Sequence, residues 1–199
     1  MNRMNAKIGA MNAKKLIFAF IASCMVSLVL TSCEKDNDIS RKYPCRFHFY
    51  REMHPTSLIF SSYQSPGAYV YVYTKIVREA TGSVRYVYAQ SNDGKTPLEY
   101  NRIATQVEAN VPYLLGANND IGLIIGCTNF SGPVAYDRIC PNCTGYMPLI
   151  WAANPQQVTC NNCKRVYDLE TRAIVSGAGG SPLMRYLTSL DDKRLNVTN

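Results

Sequence analysis

Two pairs of cysteines place the strongest constraint on how this chain can fold. Cys140 and Cys143 form one Cys-x-x-Cys pair, Cys160 and Cys163 form another, and residues 144–159 separate them. A Cys-x-x-Cys turn directs both sulfur atoms to the same side, so two such turns facing each other make a cage of four sulfurs. The spacing therefore predicts a tetrahedral metal site with these four cysteines as its ligands.

This spacing is typical of zinc ribbons and rubredoxins. Four thiolates suit Zn²⁺ or a single iron ion, and suit a 2Fe–2S cluster less well. We favour zinc, because it requires no redox tuning and no dedicated assembly. Four protein ligands leave no open coordination position, so the zinc is expected to be structural and not catalytic. Disulfides or a thiol–disulfide redox role are the other interpretations, although the chain has no thioredoxin-like strand–helix context for the latter.

The residues around the cysteines carry a longer pattern. In chain order it comprises Gly122–Gly126, Pro133–Arg138, Cys140-Pro141, Lys164–Thr171, the glycine-rich stretch Gly177–Leu183, and Tyr186. Over roughly residues 105–190 this order resembles the Rieske iron–sulfur domain. The resemblance implies an all-β fold, an antiparallel sandwich or barrel with a zinc-ribbon-like or rubredoxin-like metal-loop subdomain at about residues 138–183. The glycines are expected to let the chain fold back over the metal loops.

The ligand set departs from that family. A Rieske centre takes one Cys and one His from each loop. Here Asn142 and Cys163 stand where the resemblance places the two histidines, and the chain's two histidines, His48 and His54, lie far upstream. The electron-transfer and oxygenase roles of the family are therefore not transferred to this chain.

The N-terminal residues 1–32 have the features of an export signal. An apolar run over residues 16–30 is too short to span a membrane comfortably. Four basic side chains precede it: Arg3, Lys7, Lys14 and Lys15. The run ends in Leu-Thr-Ser followed by Cys33, which resembles the bacterial lipoprotein signal in which the cysteine is acylated. A simple secretory signal or an N-terminal anchor helix is the alternative.

A lipid on Cys33 predicts a location in the cell envelope of a Gram-negative bacterium, anchored to the outer membrane. Residues 33–42 form the lipidated cysteine and a polar tether, whose acidic residues resemble the signal that sends some lipoproteins to the cell surface. The expected partners are the membrane, through the lipid, and an unknown envelope protein or ligand. The signal segment carries four of the 21 basic residues and none of the 14 acidic ones, so removing it lowers the net charge from +7 to +3. That small charge argues against a nucleic-acid partner.

We expect one β domain over residues 43–190, followed by a polar tail over 191–199. The strictly alternating Tyr69–Tyr73 and the segment Val84–Ala89 predict a hairpin, and Tyr43–Tyr50 predicts an edge strand. Gly122–Gly126 and Pro133–Asp137 predict a second hairpin, and Arg165–Leu169 with Ala173–Val175 a third. Asn101–Gly116 fits either a short helix or a long connection.

The tyrosines of the first hairpin fit a carbohydrate-binding platform or, as we favour, the wetter face of a sandwich. The only tryptophan, Trp151, is expected to pack near the metal loops.

Cys45 and Cys127 fit either a disulfide or two separate buried thiols. No catalytic constellation emerges, because no histidine accompanies a serine or cysteine in the Rieske-like half and no motif places a carboxylate pair. We therefore predict a non-catalytic binding or accessory protein. The alternative is an electron carrier with thiolate-bound iron or a 2Fe–2S cluster.

Overall fold

The structure, a computed structural model, describes residues 39–199. The predicted export signal over residues 1–32, the predicted lipid-anchor residue Cys33 and residues 34–38 of the predicted tether lie outside the described residues. No helix among residues 39–199 is long and apolar enough to span a membrane.

The described residues form mostly antiparallel β-structure, with two short helices. In chain order the elements are β1 (Cys45–Tyr50), α1 (Leu58–Gln64), β2 (Tyr69–Glu79), β3 (Gly82–Ser91), β4 (Glu99–Arg102), α2 (Gln106–Ala109), β5 (Leu114–Leu115), β6 (Leu123–Cys127), β7 (Pro133–Asp137), β8 (Leu149–Trp151), β9 (Gln157–Cys160), β10 (Val166–Asp168), β11 (Ile174–Ser176), β12 (Arg185–Leu190) and β13 (Arg194–Thr198). The predicted all-β class is confirmed.

Nine strands form the larger sheet, in the order β4-β3-β2-β6-β7-β12-β13-β1-β5. The two hairpins predicted in this part of the chain are present: β2 pairs with β3, and β6 pairs with β7. Alternation along β2 sends Val70 and Val72 to one face of the sheet and Tyr69 and Tyr71 to the other. The valine face packs with strands β1, β3, β6 and β13 and with α1 into the main apolar core.

Four short strands form the smaller sheet, in the order β11-β10-β9-β8, and the predicted β10–β11 hairpin is part of it. Its residues lie between β7 and β12 in the chain, yet those two strands are neighbours in the larger sheet, with Tyr186 opposite Ala135. The smaller sheet is thus an insertion that packs back on the tyrosine face. Leu149 and Val158 of the smaller sheet share a second core with Tyr69, Tyr71 and other residues.

This insertion corrects the prediction that the tyrosines of β2 line a wetter face. Tyr69 and Tyr71 are 0% and 2% exposed, because the smaller sheet covers that part of the face. Tyr73, two residues farther along β2, is half-buried. Alternation identifies the two faces of a strand, but it does not show which of them another sheet covers.

The C-terminal residues are not a polar tail. Leu195 and Val197 are fully buried in the main core, and β13 pairs with both β12 and β1. Strand β1 was predicted as an edge strand, but it pairs with β13 on one side and with β5 on the other. It therefore does not lie at the edge of the sheet. The ambiguous segment 101–116 contains the end of β4, then α2 and β5.

The sequence patterns do not predict helix α1. Its N-cap is Ser57, whose hydroxyl accepts a hydrogen bond from Ile59 N.

Candidate metal centre

Each Cys-x-x-Cys pair lies in a tight loop closed by backbone hydrogen bonds. In the first loop Cys140 N donates to Met147 O over 2.8 Å. In the second, Cys160 N donates to Arg165 O over 3.0 Å, and Lys164 N donates back to Cys160 O over 2.9 Å. Lys164 follows the last cysteine with φ of 60°, a left-handed conformation that turns the chain sharply back towards β10. The loops therefore hold both cysteines of each pair at the tip of a turn.

The two loops bring all four predicted ligands together. The sulfurs of Cys140, Cys143, Cys160 and Cys163 lie within 4.8 Å of one another. Cys140 Sγ is 3.6 Å from Cys163 Sγ, and Cys143 Sγ is 3.8 Å from Cys160 Sγ. A zinc tetrahedron with Zn–S bonds of about 2.3 Å has S···S edges of about 3.8 Å, whereas a disulfide is about 2.05 Å long. The cluster is thus arranged as four separate thiol ligands that could hold a metal ion.

Hydrogen-bond donors surround the cluster sulfurs. Asn162 Nδ2 donates to Cys143 Sγ over 3.3 Å, and backbone groups of Asn142, Asn162, Cys163 and Arg165 act to lower the pKa values of the other three thiols. Donors directed at a sulfur stabilise its negative charge and so favour the thiolate. These donors thus favour the form that binds metals, although at Cys140 and Cys160 the effect of burial is larger.

The environments of the four cysteines differ. Burial raises the pKa of Cys140 to about 12 and also raises that of Cys160. Burial acts in the same direction on Cys163, but the interactions with Arg165, Cys143 and Cys140 together outweigh it and lower its pKa to about 6. A metal ion bound here would displace the protons of Cys140 and Cys160, so its affinity must rise with pH.

Asn142 links the first loop to the glycine-rich stretch. Its Oδ1 accepts from Ser181 N over 2.8 Å, and its Nδ2 donates to Ser181 O and to Tyr167 Oη, both over 2.8 Å. Because Tyr167 Oη accepts this hydrogen bond, its own proton is free to point to Cys140 Sγ, 3.3 Å away. Asn142 thereby orients a further donor towards the cluster, a role that the sequence reasoning missed.

The glycine-rich stretch is held from the second loop as well. Arg165 Nε donates to Ala178 O over 2.8 Å, and its Nη2 donates to Gly179 O over 3.0 Å. A Cβ on Gly180 would clash with the side-chain oxygen of Asn142, so the close approach requires glycine there. As predicted, this stretch folds back beside the metal loops.

An aromatic stack lies between the smaller sheet and the larger one. The rings of Tyr71 and Trp151 are parallel within 4°, with centroids 3.7 Å apart, and the Arg138 guanidinium carbon lies 3.8 Å from the Tyr71 centroid. Two groups this close to one ring must occupy its opposite faces. Arg138 also donates to Leu149 O over 3.2 Å. The prediction that Trp151 packs near the metal loops is confirmed.

Neither histidine contributes to the cluster. His48 Nδ1 lies 2.7 Å from Asn196 Oδ1, and His54 Nε2 lies 2.7 Å from Glu108 Oε1. Both contacts involve elements outside the smaller sheet.

The disulfide alternative for Cys45 and Cys127 is wrong, since both cysteines are free, buried thiols. Three strands of the larger sheet separate β1 from β6. Cys45 Sγ contacts Val197 O, and Cys127 Sγ contacts Thr128 O. Burial raises the pKa of Cys45 to about 12 and also raises that of Cys127, so both behave as small apolar groups.

Comparisons with protein-family models, with curated proteins and with solved structures give no match to this chain.

Proposed function

We propose that this chain is an envelope lipoprotein with a Rieske-like domain, in which a single structural Zn²⁺ takes the place of the iron–sulfur cluster. In this proposal the protein is a non-catalytic binding or accessory component, held at the outer membrane by a lipid on Cys33. The observation that carries it is the set of four hydrogen-bonded cysteine sulfurs within 4.8 Å of one another. Four protein ligands complete a tetrahedral shell and leave no position for a substrate.

The sulfur geometry favours one ion over a cluster. In a 2Fe–2S cluster, bridging sulfides separate the two irons, so thiolates on different irons stand well apart. Here all four sulfurs lie within 4.8 Å, and the cross-loop distances of 3.6 and 3.8 Å match the edges of one tetrahedron. Soft thiolate donors select Zn²⁺ or iron over hard cations such as Mg²⁺ and Ca²⁺.

Motif order and spatial placement together support a Rieske-like fold. The two Cys loops and the glycine-rich stretch, which are separate in sequence, meet around one point through Asn142 and Arg165. Asn142 and Cys163 occupy the positions at which the resemblance places histidine ligands. Asn142 turns its amide to Ser181 instead of to the cluster, which leaves Cys143 to supply the fourth sulfur.

Metal analysis tests this proposal directly. The protein is purified without added metal, and its metal content and visible spectrum are measured. One equivalent of zinc in a colourless sample is expected. A metal-free protein whose cysteines are paired in disulfides would overturn the zinc proposal.

Electron transfer by thiolate-bound iron is the second candidate. It is favoured by the partial exposure of Cys143 and Cys163, which gives an electron a short path to a partner, and by the hydrogen bonds to sulfur, which tune iron–thiolate potentials. One equivalent of iron with visible absorption would replace the zinc proposal. In that case Tyr167→Phe should change the reduction potential, because it removes the hydroxyl directed at Cys140.

The proposed anchor is tested separately. Wild-type protein expressed in a Gram-negative host should incorporate labelled palmitate and sediment with outer membranes. Cys33→Ala should abolish both, with the domain still folded. Protease treatment of intact cells then distinguishes a surface location, in which the domain is cleaved, from a periplasmic one, in which it is protected.

A further inference from the structure

The tyrosine face of the larger sheet continues beyond the part that the smaller sheet covers. There Tyr73, Tyr88 and Tyr100 lie directly opposite one another on β2, β3 and β4. In the next row of this face, Tyr86 lies between Lys75 and Arg102. We call Tyr73, Tyr86, Tyr88 and Tyr100 the tyrosine platform. It spans three strands, a width of about 10 Å.

The rings of the platform contact one another. Tyr73 and Tyr88 are stacked with centroids 4.9 Å apart, and Tyr100 lies 6.4 Å from Tyr88 and 6.5 Å from Tyr86. Tyr100 is 66% exposed, and both of its ring contacts are tilted or edge-on, so they leave a ring face open. The cluster is thus assembled in advance, and binding would require little ordering of side chains.

The charged side chains beside the platform nearly cancel one another. Arg102 Nη2 pairs with Glu79 Oε2 over 2.8 Å, and Tyr86 Oη donates to the same carboxylate. Lys75 Nζ, 5.6 Å from the Tyr73 ring centroid, adds one positive charge. A nucleic-acid backbone is bound by several uncompensated cations. Val77 and Leu98 beside the platform are exposed aliphatic side chains, but the four rings at its centre carry hydroxyls that an apolar protein partner would not satisfy.

We propose that the tyrosine platform binds an extended, neutral polysaccharide, with one sugar ring stacked on Tyr100. Pyranose rings have an apolar C–H face and a rim of hydroxyls. A tyrosine ring offers a matching apolar, electron-rich face with a polar hydroxyl at its end. The C–H face packs on Tyr100, and the sugar hydroxyls bond the tyrosine hydroxyls and the cations of Lys75 and Arg102. This inference goes beyond the proposed function and does not depend on the metal.

Native affinity electrophoresis tests the proposal. The protein runs in gels that contain amylopectin, xyloglucan, galactomannan or polygalacturonate. We expect at least one neutral polysaccharide to slow the wild type, and Tyr100→Ala to weaken that binding about tenfold, which is the loss of one aromatic contact of about 1.4 kcal/mol. Tyr100→Phe keeps the ring and should retain most of the binding. Tyr146→Ala is the matched control, because Tyr146 is 50% exposed but lies in the first metal loop.

Several results would overturn the proposal. Unretarded migration in every gel is one, and equal retardation of Tyr100→Ala and Tyr146→Ala is another. Retardation by polygalacturonate alone, abolished by salt, would show a purely electrostatic interaction. Binding of a single-stranded oligothymidine in place of every polysaccharide would assign the platform to nucleic acid. Circular dichroism and metal content that match the wild type establish that each variant is folded.

Discussion

The two sheets of this protein are held together in different ways. In the larger sheet β2 and β3 are 11 and 10 residues long, and buried side chains from most of its strands and from α1 fill one apolar core. The strands of the smaller sheet are only three or four residues long. Only four of its strand residues are buried, namely Leu149, Val158, Cys160 and Tyr167, and one of these is the candidate ligand Cys160.

This contrast indicates that the smaller sheet depends on cross-links more than on apolar burial. Its residues gain some stability by packing on the larger sheet, where Tyr136 Oη also donates to Leu169 O over 2.9 Å. The hydrogen bonds of Asn142 and Arg165 supply further connections, and a metal ion held by the four sulfurs would add a cross-link between the two loops. If the contrast is correct, metal loss should open the smaller sheet, whereas a core mutation in the larger sheet should destabilise the whole domain.

The largest effect is expected from Cys143→Ser. It removes one metal ligand, and structural zinc contributes about 10–16 kcal/mol of apparent binding energy in small zinc domains. We expect loss of stoichiometric metal, faster amide exchange in β8–β11, and a thermal midpoint lower by about 10 °C or more, since each kcal/mol shifts a domain of this size by about 2–4 °C.

The matched control for this substitution is Cys127→Ser. Cys127 is also a free thiol, but it lies at the end of β6, and a serine hydroxyl there can donate to Thr128 O as the thiol does. Metal content should be unchanged in this variant. If Cys143→Ser keeps its metal and its midpoint as well, the cluster is not a metal cage.

A large effect in the other sheet is expected from Leu195→Ala. Leu195 is fully buried in β13, and truncation of a buried leucine costs about 2–5 kcal/mol. Leu187→Ala on the neighbouring β12 is the control, because Leu187 is 53% exposed and its truncation should change the free energy of unfolding by less than about 0.5 kcal/mol. Urea denaturation measures both. Equal, small effects would mean that residues 191–199 are a tail after all.

Strand β13 also shows what local sequence patterns reveal and what they leave open. Its alternation of Arg194, Leu195, Asn196, Val197 and Thr198 is a strand signal, but the polar composition of residues 191–199 predicts a tail. The hairpins were predictable because their strands adjoin in sequence. The pairing of β13 with β1 joins opposite ends of the domain, and no local pattern encodes such a contact.

The candidate site likewise has one part that local sequence patterns predict and another that they do not. The four ligands follow from Cys-x-x-Cys spacing alone, since the geometry of such turns is local. The hydrogen bonds from Asn142 to Tyr167 and Ser181 were not predictable, because they depend on how the glycine-rich stretch folds back. An asparagine at a position where the resemblance places histidine is the available signal, but by itself it indicates only the loss of a ligand.

A smaller effect is expected from Asn142→Ala, which removes three hydrogen bonds around the cluster. Ser181 is exposed, so its backbone groups can bond water instead, whereas the buried Tyr167 hydroxyl loses a donor at a cost of about 1–3 kcal/mol. Loss of a residue that supports metal ligands weakens metal affinity about 10–100-fold. Competition with a chromophoric chelator measures the affinity. Asn161→Ala, at an exposed position in the second loop, is the control and should bind normally. Equal metal affinities of the two variants would show that the glycine-rich stretch folds back beside the cysteine loops without Asn142.

The smallest effect concerns Asp137, which ends β7 where the chain leaves the larger sheet for the first metal loop. This carboxylate is fully buried. It accepts hydrogen bonds from Ile139 N, Ala117 N and Tyr186 Oη over 3.0, 2.9 and 2.8 Å. Burial nevertheless raises its pKa above the ordinary 3.8, although the three hydrogen bonds and the charge of Lys42 act in the opposite direction.

A raised pKa means that folded Asp137 holds its proton more tightly than the unfolded chain does. Its contribution to stability is therefore fully present below pH 3.8 and is lost as the pH rises through the folded pKa. Asp137→Asn cannot titrate, so the unfolding free energy of the wild type minus that of the variant should fall across this range and then level off. Urea denaturation at a series of pH values measures the difference, and acid-induced metal loss affects both proteins alike. If the difference grew with pH, the hydrogen bonds and Lys42 would outweigh burial, and Asp137 would be a stabilising anion at the junction of the two sheets.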